Sequence, residues 1–194
     1  MSNFVFLGPP GAGKGTQAER LILAHGLLHI STGDLLRSAI REETPLGKEA
    51  KAAVDAGFLV PDEVVIGLVE ERLTARTENQ GFILDGFPRT LEQAKVLDAM
   101  LAKMGSPLDH VILFDISAAL LEQRIEARAR QSYEAGLQVR SDDNPAVLER
   151  RIDEYARATA ALSPYYEEKG LLRNVDASAD IEQVTLQIGA LVTQ

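Results

Sequence analysis

The feature that most constrains this chain is a glycine-rich segment near its start, Gly8–Thr16 (GPPGAGKGT). The segment directly follows the short apolar run Asn3–Leu7 and opens an amphipathic helical pattern, and this strand–loop–helix context is typical of phosphate-binding loops. Glycines let the backbone turn its N–H groups inward, and these donors bind phosphate oxygens together with the positive end of the helix dipole. The segment therefore predicts a phosphate cradle after the first strand.

Lys14 is the most informative residue of this segment. A cation in the first turn of a helix is disfavoured by about 0.3 to 1 kcal/mol, so its presence indicates an anion nearby that offsets this cost. The alternative interpretation is a tight glycine turn with an exposed lysine. The usual phosphate-loop pattern places Ser or Thr directly after the lysine, but here Gly15 precedes Thr16. Direct ligation of Mg²⁺ by a hydroxyl of this loop is therefore not expected.

Short apolar runs alternate with longer amphipathic ones along the chain, which predicts βαβ units and a parallel sheet in an α/β fold. The predicted strands are Asn3–Leu7, His29–Ile30, Phe82–Leu84, Val111–Ile116 and Leu171–Val175. The run Val111–Phe114 lacks polar alternation, so helices are expected on both faces of the sheet. Two polar stretches, Ser31–Val60 and Arg130–Asn144, interrupt the pattern and are candidate mobile segments.

Composition excludes several functional classes. The 194 residues carry a formal net charge of -9, which disfavours a general nucleic-acid or membrane-surface binder because such proteins need a basic surface. The absence of cysteine excludes disulfides, thiolate nucleophiles and cysteine-based zinc sites, and it is compatible with a reducing compartment. The first apolar run is too short for a signal peptide, and no stretch approaches the ~18 apolar residues of a membrane span. A cytoplasmic location is the expectation.

Candidate ligand-binding residues follow the second and third predicted strands. Ser31–Asp34 has the spacing of a helix capping box, which leaves Thr32 and Arg37 available for a ligand, although an isolated arginine is more often a solvated surface residue. Asp85 lies at the carboxyl end of a buried strand, where ligands bind in open α/β sheets, and it is placed to organise Mg²⁺ through water. A turn-forming aspartate before Gly86 is an equal alternative.

Gln93 also has two open interpretations. Thr90-Leu91-Glu92-Gln93 is a second capping box, so Gln93 either caps its helix or reads a substrate.

Six arginines form a further candidate set. Arg124 and Arg128 stand four residues apart on one helix, a repulsive arrangement unless an anion lies near both. Arg151 shares a helical side with Val147 and Tyr155, at the edge of a face predicted to be buried, whereas Arg150 points elsewhere and is predicted to make only an exposed ion pair. Individually each is more often a surface ion pair. In a chain of net negative charge the set predicts a polyphosphate site: Arg37, Arg89, Arg124, Arg128, Arg140 and Arg151.

The three histidines, His25, His29 and His110, form no spaced cluster and are interpreted as structural.

Taken together, the motifs closely resemble the adenylate kinase family over nearly the whole chain. Four segments carry the resemblance in family order: Gly8–Thr16, Ser-Thr-Gly-Asp at Ser31, Asp-Gly-Phe-Pro-Arg at Asp85, and Arg-Ser-Asp-Asp at Arg140. The resemblance implies the P-loop nucleoside monophosphate kinase fold, with five parallel strands flanked by helices. It also implies a division into a core (1–30, 61–127 and 141–194), a small AMP-binding insert (31–60) and a short lid (128–140).

The resemblance further implies roles for individual residues. Residues that hold ATP are Gly11, Ala12, Gly13, Lys14, Gly15, Thr16 and Arg128, with Arg124 covering the donor adenine and Ala179 meeting it through its backbone. Residues that hold AMP are Thr32, Arg37, Phe58, Leu59, Val60, Gly86, Phe87, Pro88, Arg89 and Gln93. Arg140 and Arg151 bridge the phosphates, and the implied catalytic set is Lys14, Asp85, Arg89, Arg128, Arg140 and Arg151. The Phe87–Pro88 peptide bond is expected to be cis.

The implied activity is reversible transfer of the terminal phosphoryl group of MgATP to AMP, giving two ADP, by a monomer that needs no nucleic acid or membrane. Only eleven residues separate Arg128 from Arg140 and none is cysteine, which resembles the short-lid type without zinc. Mg²⁺ enters with the nucleotide.

Three other functions compete with this interpretation. A UMP/CMP kinase shares the fold, the cradle and the short lid, but typically has Ala and Asn where this chain has Thr32 and Thr90. A GTP-dependent switch protein should carry an Asn-Lys-x-Asp segment, which the sequence lacks. A bare ATPase would not need Arg37 and Arg89 opposite the cradle.

Overall fold

The computed structural model of the chain describes residues 2–136 and 145–192. Five parallel strands form one sheet in the order β2-β3-β1-β4-β5. The strands are β1 (Asn3–Leu7), β2 (Leu28–Ser31), β3 (Phe82–Asp85), β4 (His110–Asp115) and β5 (Leu172–Asp176). The described helices are α1 (Lys14–His25), α2 (Thr32–Arg41), α3 (Pro45–Ala56), α4 (Asp62–Thr74), α5 (Leu91–Lys103), α6 (Ala118–Glu134), α7 (Pro145–Thr159), α8 (Leu162–Glu168) and α9 (Ile181–Val192). The predicted α/β fold is confirmed.

Helices cover both faces of the sheet, as the unbroken apolar strand predicted. Successive residues of β1 point to opposite faces, so Val5 joins a core with α2, α3, α4, α5 and α8 while Phe6 joins a core with α1, α6 and α9. Phe4, Val5 and Phe6 are at most 1% exposed. The strand therefore contributes apolar side chains to two cores at once.

The strand order reverses at β1, and this point positions the candidate site. From β1 the chain builds β2 and β3 on one side of the sheet and then β4 and β5 on the other. In open α/β sheets, ligands bind at the carboxyl ends of the strands beside such a reversal. The glycine-rich segment leaves β1 at that place.

Side-chain caps begin the helices α2 and α5 at this edge, at the starts that the two capping boxes predicted. The Asp34 amide donates to Ser31 Oγ at 3.3 Å, and the Gln93 amide donates to Thr90 Oγ1 at 3.2 Å. Each cap satisfies one of the amide groups that have no partner within the helix. These contacts fix the starts of α2 and α5 close to the ends of β2 and β3.

The bounds of β1 are as predicted, and those of the other four strands differ from prediction by a single residue at one or both ends. Ser31 pairs with Asp85, so β2 and β3 end side by side at the candidate site.

The polar stretch Ser31–Val60 contains the helices α2 and α3, the first of which begins where the capping box predicted. The stretch buries Leu36, Ala50 and Val60 in the core. Its mobility stays a prediction. Within the second polar stretch, α6 continues past Arg128 to Glu134.

No helix within the described part of the chain is long and apolar enough to cross a membrane.

Candidate functional site

A cleft of about 1080 Å³ opens at the carboxyl ends of the strands. Its walls come from the glycine-rich segment, from the ends of β2 and β3, and from α2, α6 and α7. Predicted site residues that line it are Gly11, Ala12, Gly13, Lys14, Gly15, Thr16, Arg37, Leu59, Asp85, Gly86, Pro88, Arg89, Arg124, Arg128, Arg151 and Ala179. Residues far apart in the sequence thus meet around one space.

The glycine-rich segment ends in an uncapped helix N-terminus. Gly13 is the N-cap of α1 and has a φ of 93° in the left-handed region, which favours glycine. No side chain caps this helix and no acidic residue lies in its first turn. The first amide groups of α1 and its positive dipole end therefore offer a site for an anion.

Lys14 lies at the floor of the cleft, with its side chain 12% exposed. Its ammonium donates to the carbonyl oxygens of Gly8 at 2.8 Å and Pro9 at 3.0 Å, and it lies 3.9 Å from Asp85 Oδ1. The exposed-lysine alternative is therefore wrong.

Burial lowers the pKa of Lys14 to about 8. The Asp85 carboxylate opposes this effect, whereas the positive charges of Arg89, Arg151 and Arg128 lower the pKa further. These arginines come from three different parts of the chain: the loop after β3, α7 and α6. Four cationic groups therefore act on one small region.

Asp85, the last residue of β3, faces Lys14 and His29. His29 Nε2 lies 3.8 Å from Asp85 Oδ2, on the side away from the lysine contact with Oδ1. Burial alone would raise the pKa of Asp85, but Lys14, His29 and Arg89 more than offset that effect and keep the pKa below its usual value. The carboxylate is thus ionised at neutral pH, as a group that organises a hydrated cation must be.

Arg124 contacts the cradle in a way that sequence spacing did not predict. Its guanidinium donates to the carbonyl oxygens of Ala177 at 2.8 Å and Ala12 at 3.4 Å. Backbone carbonyls thus satisfy the hydrogen-bond donors of Arg124, and an anion near both Arg124 and Arg128 stays a prediction. This arginine ties the glycine-rich segment to the loop after β5, where Ala179 lines the cleft.

A smaller cavity of about 60 Å³ adjoins the cleft on the side of α2 and α3. The predicted residues that line it are Thr32, Arg37, Phe58, Leu59, Val60, Gly86, Arg89, Gln93 and Arg151. The carbonyl oxygen of Gly86 orders its floor, accepting hydrogen bonds at 2.9 Å from both Thr32 Oγ1 and Arg89 Nε. Arg37 lies one turn into α2, where its guanidinium donates to Asp34 at 2.6 Å.

Gln93 is 2% exposed, and both polar atoms of its side-chain carboxamide are hydrogen-bonded. Its Oε1 accepts from the Arg89 amide at 2.7 Å, and its Nε2 donates to Asp62 Oδ1 at 2.6 Å. Asp62 also accepts a hydrogen bond from Thr90 at 3.3 Å. The Thr90 cap on the Gln93 amide is confirmed, whereas the Gln93 side chain bonds the amide of Arg89, which precedes the N-cap. Gln93 also lines the smaller cavity.

One predicted residue among those that the structure describes is not part of these walls. Phe87 was predicted to hold AMP, but it is fully buried in the core with α4 and α5 and lines neither cavity. Arg140 lies outside the described residues, as do Asp142 and Asp143. The Phe87–Pro88 bond is cis, as predicted.

Sequence reasoning assigned no site role to several residues that line the cleft, among them His29 and Tyr155. His29 was interpreted as structural but lines the cleft opposite Asp85, and the signal that could have identified it is its position near the end of a strand beside β3. Tyr155 lines the same cleft one turn after Arg151, and burial raises its pKa. Its helical side was predicted correctly, but its contact with the cleft was not.

Among the residues that the structure describes, no group of three or more His, Cys, Asp or Glu side chains is arranged to hold a metal ion.

Comparison with known proteins identifies the family. A family model described as adenylate kinase matches residues 6–171. An adenylate kinase of Xanthobacter autotrophicus is 49% identical over 190 residues, covering 98% of this chain and 97% of that protein. Adenylate kinases of Methylorubrum extorquens (strain PA1) and Azorhizobium caulinodans are each 49% identical over 188 residues, covering 97% of this chain and 94% and 97% of those proteins. The chain therefore belongs to the adenylate kinase family.

Proposed function

We propose that this chain carries out the adenylate kinase reaction in the cleft at the carboxyl edge of its sheet, with ATP at the cradle and AMP in the smaller cavity. As a family member the chain is an ATP:AMP phosphotransferase, which reversibly transfers the terminal phosphoryl group of ATP to AMP and forms two ADP. The proposal assigns this reaction to particular residues.

One observation carries the assignment: four cations converge where the uncapped helix α1 begins. Lys14 is nearly buried, and Arg89, Arg128 and Arg151 line the same cleft and add to the effect of burial in lowering its pKa. Such an array in a chain of net charge -9 favours anionic ligands. The terminal phosphates of two nucleotides supply them, because negative charge is concentrated where donor and acceptor meet.

The reaction needs little covalent chemistry from the protein. The attacking AMP phosphate is already anionic, so no general base is required. The residues instead hold donor and acceptor in line and neutralise charge on the phosphoryl group in flight. In this proposal Lys14 and Arg128 contact the ATP phosphates, Arg37 and Arg89 hold the AMP phosphate, and Arg151 with Arg140 contacts the group being transferred.

The smaller cavity suits a nucleoside monophosphate. Arg37 and Arg89 line it with positive charge, while Thr32, Val60 and the fixed carboxamide of Gln93 surround the space for a base. A carboxamide presents one donor and one acceptor side by side, which matches the amino group and ring nitrogen of adenine. Gln93 therefore has a substrate-reading role beside its hydrogen bond to the Arg89 amide.

Mg²⁺ arrives bound to ATP in this proposal, and Asp85 fits it. A carboxylate held ionised at the floor of the cleft is able to accept hydrogen bonds from water on the ion, whereas the cradle places Gly15 where a hydroxyl ligand would be needed. The ion neutralises charge on the phosphates when bound. Zinc has no role here, since the chain has no cysteine.

The division into core, insert (31–60) and lid (128–140) is part of the proposal. Closure of insert and lid over the two nucleotides would exclude water that would otherwise hydrolyse ATP. We expect the protein to work as a monomer in the cytoplasm.

An acceptor survey tests the proposed function. Purified protein is given MgATP with AMP, CMP, UMP or GMP, and diphosphate formation is measured. We expect AMP to exceed every other acceptor at least ~100-fold in kcat/KM, because a buried carboxamide that pairs with the correct base is left unsatisfied by a wrong one. Equal rates with CMP or UMP would assign the chain to a pyrimidine-type specificity instead.

Lys14→Met is the matched control for this survey. It should lower kcat with AMP about 100-fold or more, because it removes a preorganised charge from the cradle. Near-normal turnover by this variant would show that the activity does not arise in the proposed cleft.

A further inference from the structure

Arg150 on α7 contacts the segment that joins α3 to α4. The sequence suggested no role for this residue in catalysis or ligand binding. Its Nη1 donates to the carbonyl oxygen of Ala56 at 2.9 Å. Its guanidinium carbon lies 5.2 Å from the centroid of the Phe58 ring, within the range of a cation–π contact. Arg150 thus makes a polar contact across 94 residues of sequence and an aromatic contact with the nearby Phe58. The prediction that it makes only an exposed ion pair is wrong.

The backbone between these two contacts fits closely against the same helix. Gly57 has a φ of 78°, and a Cβ placed there would lie 2.9 Å from Arg151 Cγ and 3.0 Å from Val147 Cγ1. Because there is no room for a side chain, the segment lies directly on α7. Gly57 and Phe58 line the smaller cavity, and the Phe58 ring remains 52% exposed.

The geometry points to Arg150 as a positioning residue for AMP. It holds the Ala56 carbonyl and the Phe58 ring against α7, so the wall formed by residues 57–60 is in place before the nucleotide arrives. A wall ordered in advance leaves less conformational freedom to be lost on binding. Arg150 lines neither cavity, so it acts through the wall. The inference rests on the proposed function, because it takes the smaller cavity to be the AMP site.

Arg150→Ala tests the inference by separating AMP binding from transfer. We expect the Kd of AMP, measured by calorimetry without ATP, and the KM for AMP to rise about five- to tenfold, since a hydrogen bond and an aromatic contact are lost. The KM for ATP and kcat should stay within about twofold of wild type, because the cradle is unchanged. A uniform loss in kcat and in both KM values would overturn the positioning role.

Arg41→Ala is the control for charge. Arg41 belongs to the insert, is 74% exposed and contacts Ser38 and Glu42 at the end of its own helix. Its removal takes away one positive charge, as Arg150→Ala does, but should leave AMP binding within about twofold of wild type. If Arg150→Ala and Arg41→Ala had equal effects on the Kd of AMP, the inference would be overturned.

Two further variants keep the test decisive. Arg150→Lys retains the charge but loses the planar face, so it should give an intermediate Kd for AMP, and a wild-type value would contradict the role of the Phe58 contact. Arg37→Ala should weaken AMP binding more than about tenfold, since an arginine–phosphate contact is lost. An unchanged Kd in Arg37→Ala would refute the AMP site itself. A weakened Kd there, with no effect of Arg150→Ala, would refute the role of Arg150 alone.

Discussion

At the scale of single residues, the site is organised by how charge is buried. Lys14 gives up most of its hydration, and two backbone carbonyls and Asp85 compensate only in part, so its pKa falls to about 8. Asp85 remains ionised beside it because Lys14, His29 and Arg89 outweigh the cost of burial. A bound polyphosphate would raise the pKa of Lys14 again and stabilise its charged form. The cradle therefore favours the binding of an anion.

This arrangement predicts an alkaline limit to ATP capture. The kcat/KM for MgATP reports groups of the free enzyme, so it should decline as pH rises through about 8 and Lys14 loses its proton. Under saturating substrate the bound phosphates hold the proton on Lys14, and kcat should stay level to higher pH. Steady-state kinetics from pH 6.5 to 9.5 measure both profiles.

Lys14→Arg is the control for the pH profile. Its guanidinium does not titrate in this range, so whatever activity remains should lack the alkaline decline. The assignment is contradicted if wild-type kcat/KM is level through pH 9.5, or if the variant declines at the same pH.

At the scale of helices and strands, sequence patterns predicted the features that depend on neighbouring residues, namely strand positions and helix starts. The apolar runs located all five strands, and the spacing from Ser31 to Asp34 and from Thr90 to Gln93 located two helix starts. Sequence pattern did not locate α3 within Ser31–Val60, because this short helix buries only a narrow face. Helices of this kind are stabilised by packing on neighbours, which a local pattern does not reveal.

Contacts between elements that are far apart in the chain could not be predicted from the sequence either. Arg124 binds carbonyls from two loops, Gln93 binds Asp62 of α4, and Arg150 binds the end of α3. Each partner is remote in the chain, and carbonyl groups leave no mark in a sequence. The resemblance to the family identified many of the residues that line the cleft, whereas these supporting contacts could be found only in the structure.

At the scale of the whole molecule, the reversal of strand order at β1 explains why one cleft collects residues from the entire chain. The cradle follows β1, Asp85 and Arg89 follow from β3, and the two helices that carry Arg128 and Arg151 flank the same edge. An acidic chain thereby concentrates positive charge in one place.

The whole-molecule account also predicts the metal requirement. Activity should require added Mg²⁺, because the chain offers one ionised carboxylate at the cleft floor and relies on the nucleotide to bring the ion. The folded protein should contain no stoichiometric zinc, since the chain has no cysteine for a structural site. Elemental analysis and thermal unfolding with and without a chelator measure this. One zinc per chain, with loss of the fold on chelation, would contradict it.

The central claim is that cations from separate elements act on one phosphoryl group, and Arg151→Ala tests it most directly. Arg151 reaches the cleft from α7 and lowers the pKa of Lys14 across it. A contact made mainly in the transition state affects kcat, whereas a contact made equally to bound substrate affects KM. Arg157→Ala is the control, since Arg157 lies on the same helix, is 72% exposed and pairs with Glu154.

The measurement is steady-state ADP formation from MgATP and AMP by both variants, with circular dichroism to verify their folds. We predict that Arg151→Ala keeps its fold and lowers kcat by about 100- to 1,000-fold with smaller changes in either KM, as for other preorganised charges. Arg157→Ala should stay within about threefold of wild type. Similar small losses in the two variants, or a loss in Arg151→Ala confined to KM, would contradict the claim that these cations act together on the phosphoryl group in flight.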